Sequence, residues 1–290
     1  MGSVGRPLDT IAQAFDLALA LSDDGRGRLE VPSVLQSWPG IVHGGCLVAL
    51  VDAAAGRLDQ ITGPRRIEGR LMSSVPIETT LDVETGRSDD LISLSIRHEG
   101  QTLTSGGVTA LGKPPSSAPW RGNGDGSPLP TSDLCLACGA QNPLGLQTTL
   151  AFDTEGVWAR LQPRAPWRAG GDRLHPAMAP VLLDEVSWWL GALVMKEGGL
   201  TNRLAIDLHE PSAPFDEPLV AAGRFADVAP IDRKRTFWRT ETALSTASGL
   251  LIATGSIVFR GGTDYSARQI PYFKPRTPPS IFRRMFPNYS

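Results

Sequence analysis

Three cysteines, four histidines and a net charge of −2 among 290 residues exclude several classes of protein at once. Three thiols cannot all pair within one chain, which suits a reducing compartment better than a disulfide-stapled scaffold. A charge this close to zero gives no general field for nucleic acid. No apolar run approaches the roughly 18 residues that a membrane span needs. The N-terminus, with Arg6 and Asp9, shows no continuous apolar segment ending at a cleavage site. These absences predict a soluble, cytoplasmic protein with neither a nucleic-acid nor a membrane partner. With 41% hydrophobic and 20% charged residues, the chain can build two domains of ordinary size, each with its own core.

What the chain does contain is one spacing used twice. His43 precedes Asp52 by nine residues and His175 precedes Asp184 by nine, so two of the four histidines open matching segments. Such self-similarity indicates a repeated supersecondary unit, whose differences between copies bear on function. The copies differ directly after the histidine: Gly44-Gly45 in the first, Pro176-Ala177 in the second.

The stretch 113–132 is rich in Pro, Gly and Ser, lacks apolar periodicity, and reads as an extended surface linker. It separates a domain at 1–112 from another at 133–262, followed by a basic tail at 263–290. Alternating apolar residues from Phe15 to Leu21, a turn at Asp23-Asp24-Gly25 and Arg28–Val31 read as strand, turn, strand. A helix from Leu8 to Leu21 fits as well, with Leu8, Ile11, Phe15 and Leu19 on one face. The second half repeats the pattern at Leu146–Phe152 and Val157–Leu161. Each His segment then runs into a helix apolar on nearly all sides, hence buried. Pro180 is tolerated only in a first turn, so the second helix should start later than the first. Strand-like segments follow each helix, turning at Glu99-Gly100 and at Ser248-Gly249. The predicted class is α+β, each half a curved antiparallel sheet wrapped around one central buried helix.

The string Val31-Pro32, Leu35 to Gly45 and Asp52 resembles the hotdog-fold acyl-CoA thioesterases of the PaaI and THEM type. Cys135-Leu-Ala-Cys-Gly-Ala-Gln-Asn-Pro-Leu-Gly-Leu146 resembles a segment that often opens hotdog domains in the same group. The resemblance covers about residues 15–112 and 135–262, is most specific at the first His-Gly-Gly, and implies a double hotdog in which two fused copies imitate a homodimer. It also allows a homodimer of such chains, and implies an active site across the interface of the copies.

Thioester hydrolysis needs a donor for the carbonyl oxygen, and a base or nucleophile for the attack. A glycine N–H at a helix N-terminus can supply the first, and an aspartate the second. Gly44 and Asp52 lie roughly 12 Å apart along one helix, too far to serve one carbonyl. The carboxylate partner must therefore come from the other helix, running antiparallel. Crossing the copies gives one intact site of His43, Gly44, Asp184 and Thr201. In the resemblance Thr201, ten residues before Pro211, matches a Ser or Thr that orients water. The second site, His175, Pro176, Asp52 and Arg66, is degenerate: Pro176 has no N–H, and Arg66 cannot act as a hydroxyl. Gly45, Ser37 and Gln36 are expected beside the substrate; Ser37 stands where the family often carries Asn.

Each of these has a plainer reading. A buried-helix aspartate can be a structural contact, which is the favoured reading for Asp52, and His43 can hold its loop instead of moving protons. Cys135 and Cys138 form half a metal-ligand set, yet Cys46 alone remains among the cysteines, so structural thiols and no metal are expected. Arg233, Lys234 and Arg235 are candidates for coenzyme A phosphates against the default of a solvated loop. The tail is expected to strap onto the body or a neighbouring chain. The expected function is hydrolysis of acyl-CoA or acyl-carrier-protein thioesters without a cofactor, coenzyme A entering as part of the substrate. The alternatives are a non-catalytic acyl-thioester binder or scaffold and a hotdog hydro-lyase.

Overall fold

A computed structural model describes residues 8–22, 25–59, 62–88, 91–112, 119–122 and 124–290. The Asp23-Asp24 part of the expected turn, residues 1–7 of the first domain, and 113–118 and 123 of the expected linker lie outside the described residues.

In the first half, α1 (Ile11–Ala18) leads into β1 (Leu19–Leu21) and β2 (Arg26–Glu30). The helical reading of this segment therefore holds up to Ala18, and the strand reading only beyond it. A capping box at Thr10 and Gln13 starts the helix, and Ile11, Ala14, Phe15 and Ala18 form its buried face. Next come α2 (Gly44–Asp59), β3 (Arg65–Leu71), β4 (Thr80–Ser88), β5 (Leu91–His98) and β6 (Gln101–Ala110). The second half contains β7 (Ser127–Pro128), β8 (Thr149–Phe152), β9 (Gly156–Leu161) and the small hairpin β10 (Arg168–Ala169) and β11 (Arg173–Leu174). It continues with α3 (Met178–Met195), β12 (Gly199–Leu208), β13 (Leu219–Arg224), β14 (Ala229–Pro230), β15 (Phe237–Thr246) and β16 (Leu251–Gly261). Two helices, α4 (Thr263–Phe273) and α5 (Pro279–Met285), end the chain.

One antiparallel sheet runs in the order β1-β2-β4-β5-β6-β3-β12-β16-β15-β13-β9-β8-β7, with β14 paired to β15. Read outward from the β3–β12 seam, the two arms match strand for strand: β6 with β16, β5 with β15, β4 with β13. The seam is an antiparallel ladder from Arg203 opposite Arg70 to Leu208 opposite Arg65. The halves thus share one continuous sheet, and α2 and α3 pack against each other over it. Gly45 permits that approach, since a Cβ there would sit 2.2 Å from the Pro180 carbonyl oxygen.

Helix α3 begins at Met178, two places later in the repeat than α2, and Pro180 lies within its first turn, where the missing N–H costs nothing. By length and composition α3 could cross a bilayer, with mean hydropathy 1.3 over Met178–Met195. Its share buried inside the fold, 78%, explains that hydropathy as the requirement of a core helix.

The described part of the expected linker runs along the second half. Ser127-Pro128 pairs with β8, the Trp120 ring meets Trp158 edge-on, and Arg121 donates to the Thr246 carbonyl. The tail is also built into the body: Phe273 packs on Trp38, Trp188 and Trp189, and Phe282, Met285 and Phe286 are buried.

Candidate active site

At the N-terminus of α2 the chain turns through His43 into Gly44-Gly45, and α3 brings Asp184 against that turn from the other half. Gly45 N–H donates to Asp184 Oδ2 at 2.8 Å, and Thr201 Oγ1, from β12, donates to Asp184 Oδ1 at 2.6 Å. Each carboxylate oxygen thus accepts one fixed hydrogen bond and keeps further lone-pair capacity. A Cβ on Gly44 would lie 2.8 Å from Asp184 Oδ2, so residue 44 and the carboxylate are immediate neighbours. Among the described residues, Gly44 N–H donates to no carbonyl or side chain.

His43 is 2% exposed and stands between two carboxylates: Nδ1 is 3.3 Å from Asp184 Oδ2, and Nε2 is 3.3 Å from Glu185 Oε2. Cys135 Sγ lies 3.8 Å from the same Glu185 oxygen. Burial alone would lower the His43 pKa, but hydrogen bonds to Cys135 and Glu185 and the nearby Asp184 charge raise it well above the ordinary value. With the imidazole protonated, Gly45 N–H, which also lies 3.2 Å from Nδ1, serves Asp184 alone. Burial raises the Asp184 pKa, against the pull of His43, Thr201 and Gly45 N–H. A carboxyl lifted in this way holds a proton more readily than an exposed one, as a general base must. Cys135 goes the other way: burial pushes its thiol up, but a hydrogen bond from Cys138 and the neighbouring His43 bring it down to about 7.

These groups border a cavity of about 590 Å3. Its wall combines apolar side chains such as Trp38, Leu47, Trp188 and Phe273 with polar ones such as Asn202 and Gln269, and Arg260 and Arg268 add positive charge. Its volume falls within the range of small-molecule sites.

The equivalent place at the other end of the helix pair is built differently. Asp52 is gripped by Arg65, whose Nε reaches one carboxylate oxygen and whose Nη2 reaches the other at 2.7 Å. His175 Nδ1 accepts from Ala177 N–H at 3.3 Å, and the Phe15 ring of α1 meets its imidazole edge-on. Burial lowers the His175 pKa to about 4, despite the charges of Asp52 and Asp16.

The structure brings His43, Gly44, Asp184 and Thr201 together, and Ser37 lines the cavity with them. It corrects several other expectations. Arg66 does not face Asp52: its guanidinium bonds Glu68 at 2.7 Å and Asp207 at 3.0 Å. Successive strand residues point to opposite faces, so the one-residue difference between Arg65 and Arg66 decides which guanidinium is buried. Gln36 is outside the cavity wall; its side chain accepts from Gly40 N–H at 3.4 Å and shapes the turn. Gly45 binds Asp184 and does not reach the cavity. Arg233, Lys234 and Arg235 stay off the wall as well, and Arg235 lies over the Trp238 ring. Pro214, not Pro211, occupies the place of Pro76: the Ile41–Pro76 bridge of the first half matches the Arg173–Pro214 bridge of the second. Sequence reasoning missed Glu185, Arg65, Arg260 and Arg268. For Glu185 the signal was present, one residue after the matched aspartate; the arginines carried none without strand register.

No family model matches the chain, and no curated protein matches it. Solved structures do. A protein of unknown function with hot dog fold from Alicyclobacillus acidocaldarius is 15% identical, with a TM-score of 0.59 over 86% of this chain and 98% of that one. The acyl-CoA thioesterase II TesB2 from Mycobacterium marinum is 14% identical, with a TM-score of 0.57 over 87% of this chain and 97% of that one. The dehydratase domain of the polyketide PpsC from Mycobacterium tuberculosis is 14% identical, with a TM-score of 0.54 over 84% and 97%. The chain therefore has the α+β hotdog fold, and at these identities the likeness shows the fold alone.

Proposed function

We propose that the protein hydrolyses acyl thioesters of coenzyme A or an acyl carrier protein, at one site assembled across its two halves. The observation that carries this reading is the meeting of Asp184, from the second half, with Gly44 of the first, at the wall of a cavity with both apolar and polar surface. In this reading Gly44 N–H and the α2 N-terminus polarise the thioester carbonyl. Asp184 acts as general base toward water, or as nucleophile, while Thr201 and Gly45 N–H hold its carboxylate in place. Arg260 and Arg268 offer charge to the phosphates of the carrier. A thioesterase among the similar structures supports the reading at the level of fold.

A second reading is favoured by one observation. His43 and Asp184, one from each half, stand 3.3 Å apart, a pair that a hydro-lyase could use on an acyl chain. Against it, the His43 ring is buried, and its Nε2 edge is turned to Glu185 and Cys135. A panel of acyl-CoAs scored for thiol release, with ultraviolet absorbance following any enoyl product, tests both. Thiol release that disappears in Asp184→Asn supports the hydrolase. Enoyl turnover without thiol release would replace it with the lyase, and binding without either product would leave the scaffold.

A further inference from the structure

Beside the proposed catalytic carboxylate lies a cluster that hydrolysis does not require. His43 Nε2, Cys135 Sγ and Glu185 Oε2 all fall within 4.8 Å of one another. They come from three separate places: the turn before α2, the loop that opens the second half, and α3. Nε2 and Oε2 are 3.3 Å apart, and Sγ and Oε2 are 3.8 Å apart. Ligands placed tetrahedrally at the usual zinc bond lengths would be separated by about 3.4 Å for N and O and about 3.6 Å for S and O.

The cysteine loop has the local form of a metal knuckle. In Cys135-Leu136-Ala137-Cys138-Gly139, Ala137 N–H donates to Cys135 Sγ at 3.4 Å, and Ser132 N–H donates to Cys138 Sγ at 3.5 Å. Gly139 N–H closes the turn on the Cys135 carbonyl at 2.9 Å, and a Cβ at 139 would lie 2.5 Å from Cys135 backbone atoms. The backbone N–H aimed at Cys135 Sγ favours its thiolate, the form in which cysteine binds metal. His43 also has the outer support expected of a ligand, since its other nitrogen faces Asp184 Oδ2 at 3.3 Å.

We infer that His43 Nε2, Cys135 Sγ and Glu185 Oε2 form a binding site for one Zn2+ ion, with water from the cavity completing four-coordination. A thiolate, an imidazole and a carboxylate are a borderline set that favours zinc over magnesium or calcium. All three residues border the cavity, which gives the ion a path in. The ion would tie the His43-Gly44 turn of the first half to the cysteine loop and α3 of the second, and hold the turn that presents Gly44 N–H. The inference does not rest on the identity of the acyl substrate.

The test is metal content and cobalt spectroscopy on the full chain, purified with its thiols kept reduced. We expect one equivalent of Zn2+ per chain after dialysis and a rise in Tm on adding Zn2+ to chelator-treated protein. Co2+ substitution should give thiolate-to-cobalt charge-transfer absorption with tetrahedral d–d bands. Cys135→Ser should abolish that absorption, and Glu185→Gln should weaken binding by more than the roughly 10–100-fold that losing an outer partner costs. The wild-type spectrum needs no variant, so misfolding of a mutant leaves the test intact. Substoichiometric Zn2+ and Co2+ binding by reduced wild-type protein, or a cobalt spectrum without thiolate absorption, would overturn the inference. So would a Cys135–Cys138 disulfide that survives reduction. None of these readouts measures thioester turnover, so the metal site and the hydrolase reading can fail independently.

Discussion

His43 and His175 hold the same place in the two copies of the repeat, and their surroundings drive them to opposite states. Around His43, Glu185, Asp184 and Cys135 favour the charged ring, whereas burial under α1 keeps His175 neutral, with its pKa near about 4. The aspartates that face them diverge in the same way. Asp184 is held by a hydroxyl and a backbone N–H, which leave it lone-pair capacity, while Asp52 is bound on both oxygens by Arg65. One end of the helix pair keeps its polar groups beside a cavity. The other satisfies them within the protein. Duplication gave both ends the same backbone frame, and a few side chains decide which end is free to react.

The comparison breaks most sharply at the two aspartates. Asp184→Asn should lower kcat by about 10²–10⁴, the usual worth of a general base. Asp52→Asn should leave turnover largely intact. Steady-state thiol release from the two variants checks the assignment, and the reverse ranking would move the site to the other end of the helices.

Arg65→Met tests whether the Asp52 end is structural. Removing one partner leaves a buried charge uncompensated, at a cost of about 3–5 kcal/mol. Urea unfolding should show that loss with the active-site parameters little changed, whereas Arg66→Met, at a half-exposed surface pair, should cost under about 1 kcal/mol. Equal losses would remove the distinction between these neighbours.

The histidines predict opposite pH effects on stability. For His175 the folded pKa lies below the unfolded one, so its contribution is complete above pH 6.5 and is lost as pH falls toward about 4. The full effect is on the order of 3 kcal/mol. His175→Gln should flatten the stability profile in that window. For His43 the raised folded pKa gives the reverse sign: its contribution is complete below the unfolded value and fades as pH rises through the folded one. Denaturation curves across this range in His175→Gln and wild type would show no difference if burial of that ring were unimportant.

The smallest expected effect is at Thr201. Its hydroxyl donates to a carboxylate, and such a bond is typically worth about 1.5–3 kcal/mol. Thr201→Ala should therefore reduce kcat by roughly 10–100-fold while Thr201→Ser retains most of it. An inert Thr201→Ala would take the hydroxyl out of the mechanism. Gly44→Ala is a harsher probe of the same carboxylate, because its Cβ would come within 2.8 Å of Asp184 Oδ2.

Much of this was legible in the chain. The two His–Asp spacings, the flanking turns at Glu99-Gly100 and Ser248-Gly249, and the apolar character of α2 and α3 foretold a repeated sheet around buried helices. The crossed pairing of Gly44 with Asp184 followed from helix rise together with the repeated His–Asp spacing. What was missed shares one cause. Arg65 was passed over for Arg66 because strand register is not written in residue identity, and a slip of one residue turns every side chain to the other face. The chain carries no local sign that Glu185 meets His43, 142 positions away, nor that Cys135, expected as a structural thiol, joins them.

By itself the sequence determined the local frame: where helices begin, where strands turn, which faces are apolar, and that the pattern occurs twice. Those features depend on short-range periodicity and on backbone rules for glycine and proline, so a single stretch of chain carries them. Only the tertiary structure decided which end of the helix pair faces a cavity, which arginine neutralises Asp52, and which groups meet at His43. Each of those outcomes depends on packing two halves across the β3–β12 seam, where residues distant along the chain come within hydrogen-bonding distance and burial magnifies every charge among them.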